Sequence, residues 1–152
     1  MRTQSGFSLL EILVAMAIMA IMAGVMVVNF AGKTQEAALI KIKTDIKALE
    51  SALIQYNSDN FIYPTTEQGL EALETKPTSR PEPKNYAHRG YIKLGLDPWS
   101  NPYQYTYPGE FGEYDIYSLG ADGEEGGEGG SMDIGSWNVD EVYRAFKTGE
   151  QQ

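Results

Sequence analysis

Residues 7–30 form a long apolar segment, which constrains the fold of this chain more than any other part of the sequence. Only Ser8, Glu11 and Asn29 interrupt it with polar side chains. A helix of this length would extend about 36 Å, enough to cross a hydrocarbon layer of about 30 Å. The sequence therefore predicts a transmembrane or filament-core helix over residues 7–30.

Two ordinary explanations of this segment leave Glu11 without a role. A cleaved secretory signal peptide fits poorly, because Arg2 is the only basic residue before the segment and the apolar run exceeds the roughly 7–15 residues of such peptides. A plain membrane anchor fits the length. However, an ionised carboxylate inside a membrane costs about 2.5–3.5 kcal/mol, so Glu11 requires a partner or a function.

The sequence Gly6-Phe7-Ser8-Leu9-Leu10-Glu11 resembles the processing site of type IV pilin-like proteins. The resemblance implies that residues 1–6 are a leader, and that a prepilin peptidase cuts after Gly6 and methylates Phe7. Glu11 would then be the fifth residue of the mature chain. Because an α-amino group is largely protonated near pH 7, the amine of Phe7 in one subunit would neutralise Glu11 of its neighbour.

The residues after this segment predict an α+β domain. Apolar side chains recur at intervals of three and four residues and predict that the helix continues as an amphipathic helix through Leu39, Ile42, Ile46, Leu49, Leu53 and Tyr56. Thr65 and Gln68 have the spacing of a capping box, which predicts a short helix. Alternating residues in 103–107 and 114–119 predict an antiparallel hairpin, and 133–137 a third strand. A small sheet packed on the helical stripe would bury both surfaces.

Composition excludes several classes of function. The formal charge of −9 argues against broad nucleic-acid binding, which needs a basic face. The chain has no cysteine and only one histidine, His88, which we expect at the surface. Without a recognisable nucleophile, phosphate-binding loop or zinc motif, we expect no enzymatic activity.

Residues 120–133 are rich in glycine and contain five acidic side chains. A flexible, solvated loop is one interpretation of this composition. A calcium site is the other, because calcium binds carboxylate and carbonyl oxygens and glycine lets the backbone turn its carbonyls inward. The composition alone leaves both open.

Four blocks of sequence resemble the major pseudopilins of the bacterial type II secretion system: residues 97–105, 115–123, 126–129 and 133–137. The resemblance implies a type IV pilin-like fold, in which a long N-terminal helix packs on a small antiparallel sheet with a calcium-binding loop. Residues 31–137 would be the periplasmic domain, and residues 138–152 extend beyond the usual end of the family.

The resemblance also implies a Ca²⁺ site and its ligands. By position, Leu119 would supply a backbone carbonyl, and Asp122 and Asp133 would supply carboxylates. Glu124, Glu128 and the Met132 carbonyl are further candidates. No other cofactor is implied.

The implied function is that of the major subunit of a periplasmic pseudopilus, a homo-oligomeric helical filament that drives folded exoproteins through an outer-membrane channel. Its partners would be minor pseudopilins, an inner-membrane assembly platform and the prepilin peptidase. The chain would cross the bacterial inner membrane once, with its C-terminal domain in the periplasm. Two alternatives remain open: a major type IV pilin that forms a surface fibre, and a membrane-anchored enzyme or binding protein.

Overall fold

One 52-residue helix, α1 (Leu9–Asn60), begins the structure. The computed structural model describes residues 8–149, except for the side chains of residues 23–32. A short helix, α2 (Glu71–Glu74), and the strands β1 (Gln104–Thr106) and β2 (Asp115–Ser118) follow. A 3₁₀ turn (Gly129–Ser131), strand β3 (Ile134–Gly135) and helix α3 (Val139–Thr148) complete the fold. The chain divides into two units, residues 1–35 and 36–152.

The described part of the first unit consists almost entirely of helix α1. The large apolar side chains of residues 9–22 are all exposed, for example 78% for Leu9 and 69% for Ile21. Within the residues whose side chains the structure describes, no helical segment is long and apolar enough to cross a membrane. Phe7 and the side chains of residues 23–30, which belong to the predicted span, lie outside that description.

The second unit has its hydrophobic core between α1 and the sheet. The strand order is β1-β2-β3 and both pairings are antiparallel. The predicted stripe is confirmed, because each of its residues is at most 4% exposed: Leu39, Ile42, Ile46, Leu49, Leu53 and Tyr56. The sheet contributes Tyr105, Ile116 and Ile134 to the same core. The predicted α+β fold is therefore present, with strands shorter than the predicted ones.

The predicted capping box forms, although the helix begins later than expected. The Thr65 backbone N–H donates to Gln68 Oε1 at 3.1 Å, and the Gln68 N–H donates to Thr65 Oγ1 at 3.2 Å. Gly69 then adopts a left-handed conformation with φ of 60°, so α2 begins only at Glu71. The capping residues stabilise a turn before the helix.

Helix α3 lies in the same unit and packs near the N-terminal part of its core helix. Lys43 Nζ lies 2.6 Å from Asp140 Oδ1 and 5.0 Å from the centre of the Tyr143 ring. Lys147 pairs with Glu36. Gly149 follows the last residue of α3, and its φ of 74° is typical of a helix C-terminus. These contacts hold α3 against α1.

The core predicts different costs for two adjacent substitutions on α1. Leu53→Ala removes a fully buried side chain, whereas Ile54→Ala removes one that is 55% exposed. We expect Leu53→Ala to lower the free energy of unfolding by about 2–5 kcal/mol and Ile54→Ala to change it by less than about 0.5 kcal/mol. Urea unfolding of a soluble fragment of residues 31–152 measures both. Equal losses in the two variants would contradict the orientation of α1.

Candidate functional site

The glycine-rich loop connects β2 to β3 and is closed near its base. The Ala121 N–H donates to the Gly130 carbonyl at 3.1 Å. Gly120 has φ of 71°, and a Cβ there would lie 2.8 Å from the Ser131 carbonyl carbon. Glycine is therefore required at position 120 for two reasons: its left-handed backbone conformation and the close approach of the Ser131 backbone.

The sheet register brings together two of the predicted calcium ligands. Ser118 pairs with Ile134, so the next residues along the two strands, Leu119 and Asp133, lie opposite one another. Asp133 Oδ2 accepts a hydrogen bond from the Gly126 N–H at 2.9 Å. Asp133 Oδ1 is buried and accepts no hydrogen bond.

An unsatisfied carboxylate oxygen is costly to bury, and a bound cation is one way to remove that cost. A backbone carbonyl and carboxylates are also the oxygen donors that calcium prefers. The residues at the base of the loop therefore fit a calcium ion.

The other predicted carboxylate ligands do not form a cluster of three or more acidic side chains with Asp133 among the described residues. Asp122 is exposed, and its Oδ1 accepts from the Glu124 N–H at 3.3 Å. Glu124 and Glu128 are also exposed. Within residues 8–149, no three histidine, cysteine, aspartate or glutamate side chains converge as a metal site. The calcium site with Leu119, Asp122 and Asp133 stays a prediction.

Sequence reasoning missed the buried residue that holds the start of this loop. Asp97 is 4% exposed. Its Oδ1 accepts hydrogen bonds from the N–H groups of Trp99 and Asn101 at 2.9 and 2.8 Å. Its Oδ2 accepts one from the hydroxyl of Ser118, at the end of β2, at 2.6 Å. Residues 97–102 carry a turn signal in the sequence, but nothing there indicates the contact with β2.

The turn that contains Asp97 is itself attached to α1. Lys41 Nζ donates to the Leu96 carbonyl at 2.6 Å. The Tyr103 hydroxyl donates to Asp45 Oδ2 at 2.8 Å. Burial and the neighbouring Asp45 carboxylate raise the pKa of Tyr103, so its hydroxyl remains a hydrogen-bond donor at neutral pH. The loop thus connects through the turn to the long helix.

At the start of the chain, the described residues show only part of the predicted processing and assembly site. Glu11 is exposed, and its Oε2 accepts from the Ser8 N–H at 3.4 Å. Ser8 Oγ accepts from the Leu10 N–H at 3.3 Å. Together these bonds resemble a capping box at the beginning of α1. Gly6 and Phe7 lie outside the described residues.

Comparison with protein families gives two matches that together span most of the chain. The family described as Type II secretion system (T2SS), protein G, matches residues 29–137. The prokaryotic N-terminal methylation motif matches residues 1–27.

Relatives and a solved structure agree with these matches. A type II secretion system core protein G of Vibrio cholerae is 55% identical over 93% of this chain and 97% of its own length. That of Aeromonas hydrophila is 52% identical over 92% of this chain and 96% of its own. The crystal structure of the major pseudopilin from the type 2 secretion system of enterohaemorrhagic Escherichia coli is 48% identical, with a TM-score of 0.66. It covers 72% of this chain and 95% of that one. This chain belongs to the type II secretion system protein G family, the major pseudopilins.

Proposed function

We propose that this chain is the major structural subunit of a type II secretion pseudopilus, a periplasmic filament that drives folded exoproteins through an outer-membrane channel. The observation that carries the proposal is the 55% identity to a core protein G across nearly the full length of both chains. These relatives do not favour the alternative of a surface type IV pilin. The role is mechanical, as in a family of structural subunits.

The exposed apolar surface of residues 9–22 supplies the force for assembly. In a single chain these side chains lack a packing partner within the described residues. Bundling with the same segment of other subunits would remove them from contact with lipid or water. Because identical subunits that associate head to tail without closing form a helical filament, the same contact can repeat along the pseudopilus.

Glu11 sets the register of that bundle in our proposal. The amine of Phe7 on a neighbouring subunit neutralises its carboxylate, so two charges that are each costly in an apolar surrounding are buried as a pair. A subunit displaced along the bundle would leave both charges unpaired. The charge pair therefore selects one axial position.

The remaining partners follow from this function. A prepilin peptidase removes residues 1–6 and methylates Phe7, and the chain crosses the inner membrane once through residues 7–30. An inner-membrane assembly platform extracts the subunits, and minor pseudopilins join the same filament. The C-terminal domain lies in the periplasm.

Calcium stabilises the domain by binding the glycine-rich loop. Leu119 would contribute its carbonyl, and Asp122 and Asp133 their carboxylates. The unsatisfied Asp133 Oδ1 supports this assignment. Because a ligand that binds only the folded state stabilises it, calcium would contribute directly to the stability of the subunit.

The mass of the mature protein tests the processing step. In protein purified from the membranes of its native host, we expect a chain that begins at N-methylated Phe7. Intact-mass measurement and N-terminal sequencing determine this, with a Gly6→Ala variant as the uncleaved control. A wild-type chain that still begins at Met1 would contradict the processing step and would favour a static membrane anchor over a filament subunit.

Substitutions at Glu11 test the register. We expect Glu11→Ala to insert in the membrane but to form few filaments, as counted by electron microscopy of cells that overproduce the subunit. Glu11→Gln is the matched control, because glutamine keeps the capping interaction with Ser8 but removes the charge. If Glu11→Gln assembles normally, helix capping explains the residue and the charge pair is wrong.

Substitution of Asp122 tests the calcium site. In the fragment of residues 31–152 with calcium present, we expect the Asp122→Ala variant to have a lower melting temperature than the parent. The melting temperature of the variant should be the same with and without chelator. Glu125→Ala is the control, because Glu125 is an exposed acid of the same loop with no predicted ligand role. Identical melting of Asp122→Ala and the parent under both conditions would show that the site is misplaced.

A further inference from the structure

We infer that Asp97 is a positioning residue for the calcium loop, and that it acts through the hydroxyl of Ser118. The inference rests on the calcium site proposed above but concerns residues outside the predicted ligand set. It predicts that calcium affinity depends on a buried turn that never contacts the ion.

The Asp97 carboxylate connects the turn at 97–101 to the end of β2. One oxygen accepts two backbone N–H groups of the turn and the other accepts the Ser118 hydroxyl, as described above. Ser118 is completely buried, so its hydroxyl has no water as an alternative partner. The buried hydroxyl therefore depends on Asp97 as its acceptor.

Ser118 in turn holds Gly120, the first residue of the glycine-rich loop. Its Oγ accepts a hydrogen bond from the Gly120 N–H at 3.2 Å. The Gly120 carbonyl in turn accepts from Asn101 Nδ2 at 3.2 Å. Asn101 belongs to the turn that Asp97 closes, because its carbonyl accepts the Asp97 N–H at 2.9 Å. Gly120 is thus held on both sides by one turn.

Leu119 lies between the two residues that this network fixes. Its carbonyl shares one peptide plane with the Gly120 N–H, which donates to Ser118 Oγ, so this hydrogen bond limits rotation of the plane that carries the carbonyl. A carbonyl with a fixed direction binds a cation at a lower entropic cost than one that must first be ordered. Partners beyond the ligands typically change metal affinity by about 10–100-fold when they are removed.

The anchoring of the turn explains why it can act as a support. Lys41 and Asp45 hold its two ends on α1, through the Leu96 carbonyl and the Tyr103 hydroxyl. The Leu119 carbonyl is therefore positioned by contacts that lead back to helix α1, and not by the glycine-rich loop alone.

The test compares Asp97→Asn with Asp115→Asn in the full-length protein in non-ionic detergent. Asp115 is a matched control: it is also 4% exposed and accepts two backbone N–H groups, from Glu110 and Phe111, at 2.6 and 3.1 Å. It lies at the opposite end of β2 from the glycine-rich loop. Isothermal titration with calcium chloride gives the affinity, and melting with calcium or with chelator gives the stabilisation by calcium.

We expect Asp97→Asn to weaken calcium binding about tenfold or more and to reduce the difference in melting temperature between calcium and chelator. Asn at this position presents an amide N–H₂ donor to Ser118 in place of an acceptor, so the Ser118 O–H loses the acceptor of its hydrogen bond. Ser118→Ala should weaken calcium binding similarly. Asp115→Asn should lower the melting temperature by a similar amount with and without calcium and leave the affinity within about threefold.

Two results would overturn the inference in distinguishable ways. If Asp97→Asn lowers the melting temperature equally in calcium and chelator and keeps the parent affinity, Asp97 only stabilises the fold. If the parent itself neither binds calcium nor gains stability from it, the calcium site is wrong and the inference is wrong with it.

Discussion

The structure depends on the packing of residues 39–56 of α1 against a very small sheet. The three strands contain only two to four residues each, and a sheet of this size is marginal by itself in water. The helix supplies the other half of the core through side chains that are almost completely buried, such as Ile42, Ile46 and Leu53. The other elements of the domain are attached to the same helix: the turn at 97–101 through Lys41 and Asp45, and α3 through Lys43 and Glu36. Displacement of α1 would therefore break these contacts together with the core.

The glycine-rich loop combines a fixed base with an exposed, highly charged arm. Its base is fixed by the β2–β3 register and by the turn that holds Ser118 and Gly120. Its arm carries glutamates that repel one another, in a chain whose formal charge is −9. A divalent cation at the base would neutralise part of this repulsion and satisfy the buried oxygen of Asp133. If calcium binds as we propose, the same arrangement would make domain stability depend on the calcium concentration.

The two units differ in how far they bury their apolar side chains. The domain buries its apolar stripe within its own fold, whereas the apolar side chains of residues 9–22 are exposed in the single chain. The domain of such a subunit buries its own core, whereas the exposed apolar helix lacks a packing partner. The same segment of other copies can provide that partner. This division agrees with the proposed function, in which subunits assemble into a filament.

The sequence by itself determined the features that arise from local patterns. The helical spacing of Leu39 to Tyr56, the alternation around Tyr105 and Ile116, and the capping pair Thr65 and Gln68 are repeated or short-range signals, and the structure contains all of them. Motif resemblance identified the family, which the relatives confirm. Only the tertiary structure decided which polar groups are buried together. Asp97 and Ser118 are 21 residues apart, and Asp115 is buried at the start of β2. Periodicity reports which side of an element faces the core, but a hydrogen bond between distant polar groups depends on where the folded chain brings them, and no local pattern encodes that distance.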